Sequence, residues 1–595
     1  MKTILLILGM LLMACYSKAD SFYVMVNGSS KGEGSYSSPW DLQTALNHPS
    51  SLKPGDTVWI AGGTYRGTFI SRIRGSEVNS IIVRAIPGEQ VILDGNVEGG
   101  ENHVLTIEGN NTWYWGLTIT NSAYEGSAYY KGGVYARGAG TKMINCIVFN
   151  NGGVGVGFWD PAVDSEVYGC IIYHNGFSGS SRGHGHGIYA QNSSGTKTFR
   201  DNILFNSFGI GIHIYTESGS IEGFNIDRNI IFNSGLPGAD FLERNIIIGG
   251  LQPADRISIS NNLIYNRPAY PSKASVQLGY SADNRDAEYV GNRMYNGTLY
   301  FMREWNNVRI SHNTFNSERD DMAVIAFDSF DNIKRPVINY NSYYGGTIYN
   351  RDLSSWRQYS GEDANSVYYE EPLDELYYKI LKNRYEDKRA YIVVYNPGND
   401  QDIPVDLSDI FEEGDDFKVW DVLNLEGGPV IDGLYSGEMV SIPLDLTDYE
   451  EPMRDFYDLR VYSHTLPEFG VFVVESITDI LSDPSFDFIT ERLPLTIERC
   501  YPNPTVDILM VDFYSPASSL IRIEVFDESG RLVKHKEYSA FIGDNSVVIN
   551  LIDLPGGFYM VAVSDKSSRA SCKILKQEYA YQDIEFNIDE ISEYD

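Results

Sequence analysis

A histidine and several tyrosines hold matching places in two copies of a short pattern. Residues 187–191 read GIYAQ, and residues 211–215 read GIHIY. Both copies alternate apolar and polar residues, which predicts two short strands whose polar side chains share one face. An imidazole with a pKa near ~6.5 and two phenols can serve as base and acid in proton transfer. We therefore predict His213, Tyr189 and Tyr215 as catalytic residues, with His213 as the base.

Polar and basic side chains accompany the same set of strands. Alternation places five further residues on the outward face: Tyr135, Arg137, Trp159, Gln191 and Gln277. A row of basic residues precedes the strands: Lys131, His184, His186, Arg244 and Lys273. Such cations supply the local positive patch that an acidic sugar needs, and aromatic rings supply platforms on which sugars stack. We predict both sets as substrate-binding residues.

These residue types fit β-elimination at a uronic acid. A base removes the proton at C5, nearby cations neutralise the carboxylate, and an acid protonates the oxygen that leaves C4. If the leaving group is a sugar, the enzyme is a polysaccharide lyase. If it is water from the terminal uronate, the same residues make an oligosaccharide dehydratase. Both reactions give a 4,5-unsaturated uronyl end, and the sequence leaves the choice open.

Two other functions stay open as alternatives. A glycoside hydrolase needs two facing carboxylates about 5–9.5 Å apart, whereas the acids near these strands, Asp160, Glu217, Glu304 and Asp328, lie scattered at strand ends. A non-catalytic polysaccharide-binding protein would need only the aromatic columns. No Cys/His spacing predicts a zinc site, and no acidic cluster lies on the strands to hold calcium. We therefore predict no cofactor, with calcium as the alternative.

A unit that repeats along the chain positions the strands. It consists of a polar or small residue, three mostly apolar residues and often Asn, and it begins at Gly116, Cys146, Cys170, Asn202, Asn229, Asn262, Asn292, Asn313 and Asn341. The interval is irregular, at roughly 21–33 residues, and the units show no helical periodicity. Short strands at this interval predict a right-handed parallel β-helix, in which stacked Asn side chains bond along the coil at a tight bend.

The composition indicates an all-β protein. The chain has 595 residues, with 56 glycines, 42 tyrosines and a formal net charge of −34. This length predicts several domains. The negative charge argues against nucleic acid or an anionic membrane as a partner, so an anionic substrate would need a locally basic groove.

Segments near the N-terminus and in the middle turns of the repeat region carry a family resemblance. They read YVMVNGSSKGEGSYSSPWDLQTAL, PGDTVWIAGGTYRG and IIVRAIPGEQVILDG, then GHGIYAQN, GIGIHIYTE, NIIIGGLQPA and VQLGYSADN. They resemble the pectate-lyase-like right-handed β-helix proteins of marine and gut Bacteroidetes over residues 21–350. The resemblance implies this fold and a lyase acting on an algal polysaccharide of the ulvan or alginate type. The same fold also hosts hydrolases, epimerases and adhesins.

The remaining segments predict accessory domains and export. ERCYPNP, IEVFDESGRLV and LPGGFYMVAVSD resemble the C-terminal sorting domain of type IX secretion, which implies that machinery as a partner. Cys500 and Cys572 flank this domain and could form a disulfide. An alternating region with Gly, Pro and Asp turns predicts a β-sandwich, which could bind sugar or, as we expect, pack against the end of the coil. The expected boundaries are 20–352 for the β-helix, 353–369 for a linker, 370–477 for the accessory β-sandwich, 478–497 for a linker, 498–577 for the sorting domain and 578–595 for an acidic tail.

The N-terminus predicts a secretion signal over residues 1–19. Lys2 precedes an apolar run of about ten residues, which is too short to span a bilayer. Two processing sites compete: cleavage after Ala19, and a lipobox that would acylate Cys15. We expect the first, and with it a secreted or cell-surface protein without a transmembrane segment.

Overall fold

The structure is a computed structural model, and it divides into two compact units, Met1–Asp483 and Pro484–Asp595. It describes residues 19–96, 103–123, 132–179, 182–238, 244–281, 283–453, 463–476, 495–506, 508–515, 519–540, 543–566 and 568–577. The predicted signal peptide up to residue 18, most of the 478–497 linker and the acidic tail lie outside the described residues.

The first unit contains a parallel β-helix of three long sheets, which each turn visits in the same order. Sheet 1 consists of Ser21–Val24, Thr57–Ile60, Ile81–Ala85, Thr112–Trp115, Lys142–Ile144, Glu166–Tyr168, Lys197–Arg200, Ile221–Asp227, Ala254–Ser260, Asn284–Val290, Trp305–Ser311 and Ile333–Asn339. Sheet 2 consists of Gly63–Arg66, Val91–Asp94, Leu117–Thr120, Ile147–Phe149, Ile171–Tyr173, Ile203–Phe205, Ile230–Phe232, Leu263–Tyr265, Arg293–Tyr295, Thr314–Asn316, Ser342–Tyr344 and Val367–Tyr369. Sheet 3 consists of Phe69–Ser71, Leu105–Ile107, Val134–Ala136, Val156–Phe158, Ile188–Ala190, Ile212–Ile214, Ile246–Ile248, Ser272–Leu278, Gly297–Phe301, Ala323–Phe327 and Thr347–Ile348. The predicted parallel β-helix is confirmed.

Alternation fills the coil with apolar side chains. In one turn, Val167 of sheet 1, Ile172 of sheet 2 and Ile188 of sheet 3 are all buried in one continuous core. Burying each such side chain contributes about 1.5–3 kcal/mol. Because a single turn cannot enclose these side chains by itself, every turn depends on its neighbours for stability.

The recurring Asn forms a buried ladder at the corner between sheets 1 and 2. Asn262 Oδ1 accepts a hydrogen bond from Asn229 Nδ2 at 2.9 Å, and Asn262 Nδ2 donates to Asn292 Oδ1 at 3.0 Å. The ladder members are Asn202, Asn229, Asn262, Asn292, Asn313 and Asn341. A residue with positive φ precedes each of them, such as Asn261 at 56°. The chain thus turns this corner in two residues, and the side-chain amides satisfy buried backbone groups there, as predicted.

Replacing Asn262 with alanine is expected to lower the free energy of unfolding by about 2–4 kcal/mol, because four buried hydrogen bonds of its side chain are lost. Urea denaturation followed by circular dichroism measures the loss. Asn365→Ala is the control, since Asn365 is exposed. Equal denaturation midpoints for the two variants would contradict a stabilising ladder.

A β-sandwich follows the coil in the same unit. Its five-stranded sheet has the order Tyr377–Lys382, Arg389–Tyr395, Phe469–Glu475, Asp416–Asp421 and Ile431–Leu434, and Asp402–Val405 pairs with Val440–Pro443 in a second sheet. Side chains between the two sheets form the sandwich's own core. A 3₁₀ segment, Val422–Gly427, follows one of the strands.

The sandwich packs along the side of the coil on sheet 2, rather than against the coil's end as the sequence suggested. The fourth residue of most repeat units is aromatic and points outward, so that Tyr173 stacks on Phe205 at 4.8 Å and Phe205 on Phe232 at 5.1 Å. Phe469 of the sandwich stacks on Tyr265, the next ring of this column, at 4.3 Å. Three apolar residues in a row make both faces of a sheet 2 strand apolar, so its outer face needs a cover.

The segment 353–369 is not the linker that the sequence suggested. It contains a helix, Leu353–Ser360, and then the last strand of sheet 2, Val367–Tyr369, which pairs with Ser342–Tyr344. Trp356 of the helix is buried in the coil core, where it stacks on Phe327. These residues complete the β-helix because its last turn would otherwise expose apolar side chains. The first unit also has a helix at Leu42–Leu46, a 3₁₀ turn at Phe330–Asn332 and a hairpin of Phe177–Ser178 with Gly183–His184.

The second unit is also a β-sandwich. One sheet contains Thr496–Tyr501, Ile508–Ser515 and Gly543–Asn550, and the other contains Leu532–Ala540, Ser519–Phe526, Gly557–Ser564 and Arg569–Lys576. The suggested disulfide between Cys500 and Cys572 is present. Across the described ranges, no helix has the length and apolar character needed to cross a membrane.

Candidate active site

Sheet 3 holds its outward residues in one column because its strands pair in register. Tyr189 pairs with His213, and Gly157 lies between Tyr189 and Tyr135. The column reads Thr106, Tyr135, Gly157, Tyr189, His213, Ile247, Gln277 and Tyr300. The intervening residues, such as Ile188 and Ile212, are buried in the coil. The predicted register of the two patterned strands is therefore confirmed.

A second column lies one pleat further along the strands, and together the two columns form an aromatic wall. Backbone bonds continue the ladder through this column, as from Trp159 N to Ala136 O and from Tyr215 N to Ala190 O. We define the aromatic wall as Tyr135, Trp159, Tyr189, His213 and Tyr215. Successive ring centroids along it lie 5.3, 5.3, 5.5 and 5.1 Å apart. Such a row of rings on an outer face suits the faces of a sugar chain.

His213 lies near the middle of the wall and in contact with a second histidine. The His186 Nε2 and His213 Nδ1 atoms are 3.1 Å apart. Burial lowers the pKa of His213 well below its ordinary value, and His186, Arg182 and Arg244 lower it further. His213 is therefore uncharged at neutral pH, and two arginines lie within electrostatic reach of it.

The two tyrosines that flank His213 keep their protons at neutral pH. Burial raises the pKa of Tyr189, while a hydrogen bond from Gln191 lowers it. This bond runs from Gln191 Nε2 to the Tyr189 hydroxyl oxygen at 3.5 Å. Burial and the nearby Glu217 raise the pKa of Tyr215. Of the two phenols, Tyr189 is the one whose oxygen already accepts a hydrogen bond.

Two buried donors on this face have no partner among the described residues. Gln277 is only 1% exposed, and its Nε2 makes no hydrogen bond there. Trp159 Nε1 is also buried and makes no hydrogen bond to the described residues. A buried donor without a partner costs about 1–3 kcal/mol, so both atoms are candidates for bonds to a polar ligand.

A buried lysine that sequence reasoning missed bonds to the backbone of the strands that carry the aromatic wall. Lys197 Nζ donates to the backbone carbonyl of Trp159 at 2.6 Å and also to that of Gln191. Burial lowers the pKa of Lys197 to about 7, although Asp160 and Asp164 oppose this shift. Its position in a sheet 1 strand gave no sign of this role, because the contact crosses the corner between two sheets.

The structure separates the predicted site residues into groups. His186 and Gln191 contact the aromatic wall directly, whereas Arg137 is an exposed member of the second column. His184 stacks on Phe177 in the hairpin. Lys273 is an exposed residue of the sheet 3 strand Ser272–Leu278. Lys131 lies outside the described residues.

Sequence reasoning missed three further groups near the wall. His103 stacks on Tyr135 at 4.8 Å, and Tyr280 meets Tyr215 at 6.3 Å, so the row of rings continues at both ends. Arg182 is the third, at the end of the hairpin. Alternation could have found none of them, because all three lie in loops.

The family match agrees with the observed β-helix. Residues 22–241 match the family described as Pel9A-like, right handed beta helix region. Pectate lyase L of Thermoclostridium stercorarium is 28% identical over 148 residues, which are 24% of this chain and 11% of that protein's length. An alginate lyase from Paenibacillus has 16% identity and a TM-score of 0.36 over 60% of this chain and 99% of its own. A GH136 lacto-N-biosidase from Eubacterium ramulus has 13% identity and a TM-score of 0.39 over 59% of this chain and 68% of its own.

The C-terminal region has a match of its own. Residues 499–577 match the secretion system C-terminal sorting domain. This domain indicates export to the cell surface or beyond by type IX secretion. Together the matches confirm the resemblance: the chain contains a right-handed parallel β-helix whose residues 22–241 match the Pel9A-like family, and it contains a secretion sorting domain.

Proposed function

We propose that the chain is a carbon–oxygen lyase that cleaves by β-elimination at uronic acid residues of an anionic poly- or oligosaccharide. One observation carries the proposal: the aromatic wall places uncharged His213 between two tyrosines and within electrostatic reach of Arg182 and Arg244. Rings bind sugar faces, and arginines attract a carboxylate. The relative named pectate lyase supports the same class of reaction.

The proposed step transfers two protons: one leaves C5 of the substrate, and another is donated to the oxygen that leaves C4. Tyr189, ionised as phenolate, accepts the C5 proton on its oxygen. The electron pair of the C5–H bond then forms the C4=C5 double bond as the C4–O bond breaks. Tyr215 gives its proton to the leaving oxygen. Burial raises the pKa of Tyr189, but the hydrogen bond from Gln191 favours its ionised form, which makes Tyr189 the proposed base and ties the rate to the small ionised fraction.

His213 takes a different role from the base that the sequence suggested. Its Nδ1 atom is engaged by His186, which leaves Nε2 for the substrate. An uncharged imidazole there can donate a hydrogen bond to the carboxylate as negative charge develops on it. Arg244 is proposed to bind the same carboxylate together with Gln277 Nε2, which makes no hydrogen bond within the described part of the chain.

The leaving group decides between the two reactions, and a product analysis tests the whole proposal. Purified protein is mixed with alginate, pectin and ulvan-type oligosaccharides while ultraviolet absorbance is followed, and the products are weighed by mass spectrometry. Elimination gives absorbance from the new double bond. Chain scission with absorbance indicates a lyase, and loss of one water from an intact oligomer indicates a dehydratase. Added chelator tests whether calcium contributes.

Two outcomes of this experiment would overturn the proposal. Scission without absorbance would indicate a hydrolase, and binding without any new product would indicate a polysaccharide-binding protein.

The rate of elimination is expected to increase with pH throughout the range from about pH 7 to 9. Burial raises the pKa of Tyr189, so its ionised fraction grows roughly tenfold per pH unit in this range, and kcat/KM should follow. A His213 base would behave differently, because its pKa is lowered and its uncharged fraction is constant above pH ~6.5. A profile of kcat/KM that is flat from pH 7 to 9 would remove Tyr189 as the base.

A further inference from the structure

His186 lies between a backbone amide and the ring of His213. Ile210 N–H donates to His186 Nδ1 at 3.1 Å, and His186 Nε2 lies 3.1 Å from His213 Nδ1. The two ring centroids are 4.5 Å apart, with the planes inclined at 66°. Both nitrogens of His186 are therefore engaged by other groups of the protein.

This arrangement permits one pattern of protons in the uncharged pair. A backbone N–H can only donate, so His186 Nδ1 must offer its lone pair and the His186 proton lies on Nε2. That proton is donated to His213 Nδ1, which leaves the His213 proton on Nε2. A further proton on either ring would place two N–H donors face to face, at Ile210 or between the rings.

Glycines allow the contact to form. Gly185 adopts φ of 89°, in the region that favours glycine. A Cβ on Gly209 would lie 2.9 Å from His186 Nδ1 and 2.1 Å from Gly185 O. The chain can therefore bring Ile210 N–H to the imidazole edge only because residue 209 has no side chain. The alternation of glycine and histidine at 183–187 thus has a structural reason.

We infer that His186 is a positioning residue that fixes His213 as an Nε2–H donor. His186 is then no substrate ligand, although the sequence suggested one. The catalytic consequence rests on the proposed function: a fixed Nε2–H is ready to stabilise charge on the substrate carboxylate, and it cannot remove a proton.

The charged surroundings of the pair act in the same direction. The groups that face it are Arg182 and His184 of the hairpin, Arg244 before the next sheet 3 strand, and Tyr189 and Tyr215 of the wall. Burial lowers the pKa of His186 to about 3, with smaller contributions from Arg182 and His184. Each of these effects disfavours a positive charge on the pair, so the neutral pattern of protons persists over a wide range of pH.

Nitrogen NMR of the full chain labelled with ¹⁵N-histidine, without any substrate, tests the inference directly. In the wild type, His213 is expected to carry its proton on Nε2 and to show no titration from pH 5.5 to 8. In His186→Phe, which keeps a ring but offers no donor, His213 should exchange between tautomers and titrate closer to its ordinary pKa of ~6.5. His186→Gln places an amide donor near the position of Nε2, so it should retain the wild-type pattern.

The kcat and KM of the His186 variants on a substrate that the protein converts provide a second test. His186→Phe is expected to lower kcat roughly 10- to 100-fold with little change in KM, and His186→Gln should recover most of the loss. A wild-type His213 that carries its proton on Nδ1, or that titrates like a free histidine, would overturn the inference whatever the activity. If His213 carries its proton on Nε2 but the protein shows no elimination activity, the inference stands and only the proposed function is overturned.

Discussion

Replacing Tyr189 with phenylalanine is expected to lower kcat for uronate elimination roughly 100- to 10,000-fold, the usual contribution of a general base. The variant keeps the ring that contacts Trp159 and His213, and it removes only the oxygen that accepts the C5 proton. Substrate stacking should therefore persist, with KM changed by only a few-fold. Initial rates of absorbance increase, measured over a range of oligosaccharide concentrations, separate kcat from KM.

The comparison with a distant tyrosine makes this result specific. Tyr378 is exposed on the sandwich, and Tyr378→Phe is expected to retain wild-type kinetics. If Tyr189→Phe kept more than about a tenth of the wild-type kcat, the proton would have to go to another group. If Tyr189→Phe increased KM and left kcat unchanged, Tyr189 would be assigned to substrate stacking.

Replacing Glu166 with alanine is expected to destabilise the first unit by about 3–5 kcal/mol, because buried Lys142 and partly buried Arg384 lose the carboxylate that neutralises them. Glu166 is 8% exposed, and its carboxylate lies 2.8 Å from Lys142 of the coil and 2.7 Å from Arg384 of the sandwich. The carboxylate thus joins the two parts of this unit. Denaturation monitored by fluorescence gives the loss, and limited proteolysis should show earlier cleavage near Arg384.

A surface ion pair is the matched control for Glu166. Asp432 pairs with Lys418 at 3.2 Å on the exposed sandwich face, and such pairs contribute about 0–1 kcal/mol. Equal effects of Asp432→Ala and Glu166→Ala would contradict a buried network. Burial alone would raise the pKa of Glu166, but Arg384 and Lys142 outweigh it and lower the pKa to about 2. Its stabilising contribution is therefore complete above pH ~4.5 and is lost as the pH falls through about 2.

The recurring unit and the alternating strands made much of this protein predictable. A ladder residue such as Asn262 and the inward and outward faces around Tyr189 follow from spacing along the chain. This is because one turn of a β-helix contacts only the next, so near-repeats in sequence become neighbours in space. The shared wall of Tyr189 and His213 follows from the same rule, since strands in register lie about 4.8 Å apart.

Other features depend on contacts between segments whose spacing carries no pattern. The apolar triplets of sheet 2 give it an outer face that needs a cover, but they do not identify the sandwich that docks there along the side. Lys197 looked like a residue of an ordinary strand, and its bonds to Trp159 and Gln191 exist only where two sheets meet.

The sequence by itself determined the coil, its register and the row of aromatic residues on one face, because these depend on alternation and on the repeat. Only the tertiary structure decided which nitrogen of His213 carries the proton. That choice is made by His186 and Ile210, which hold matching positions just before the two patterned strands. The repeat aligns the two residues, but it does not fix where the His186 ring points or which atoms its two nitrogens contact.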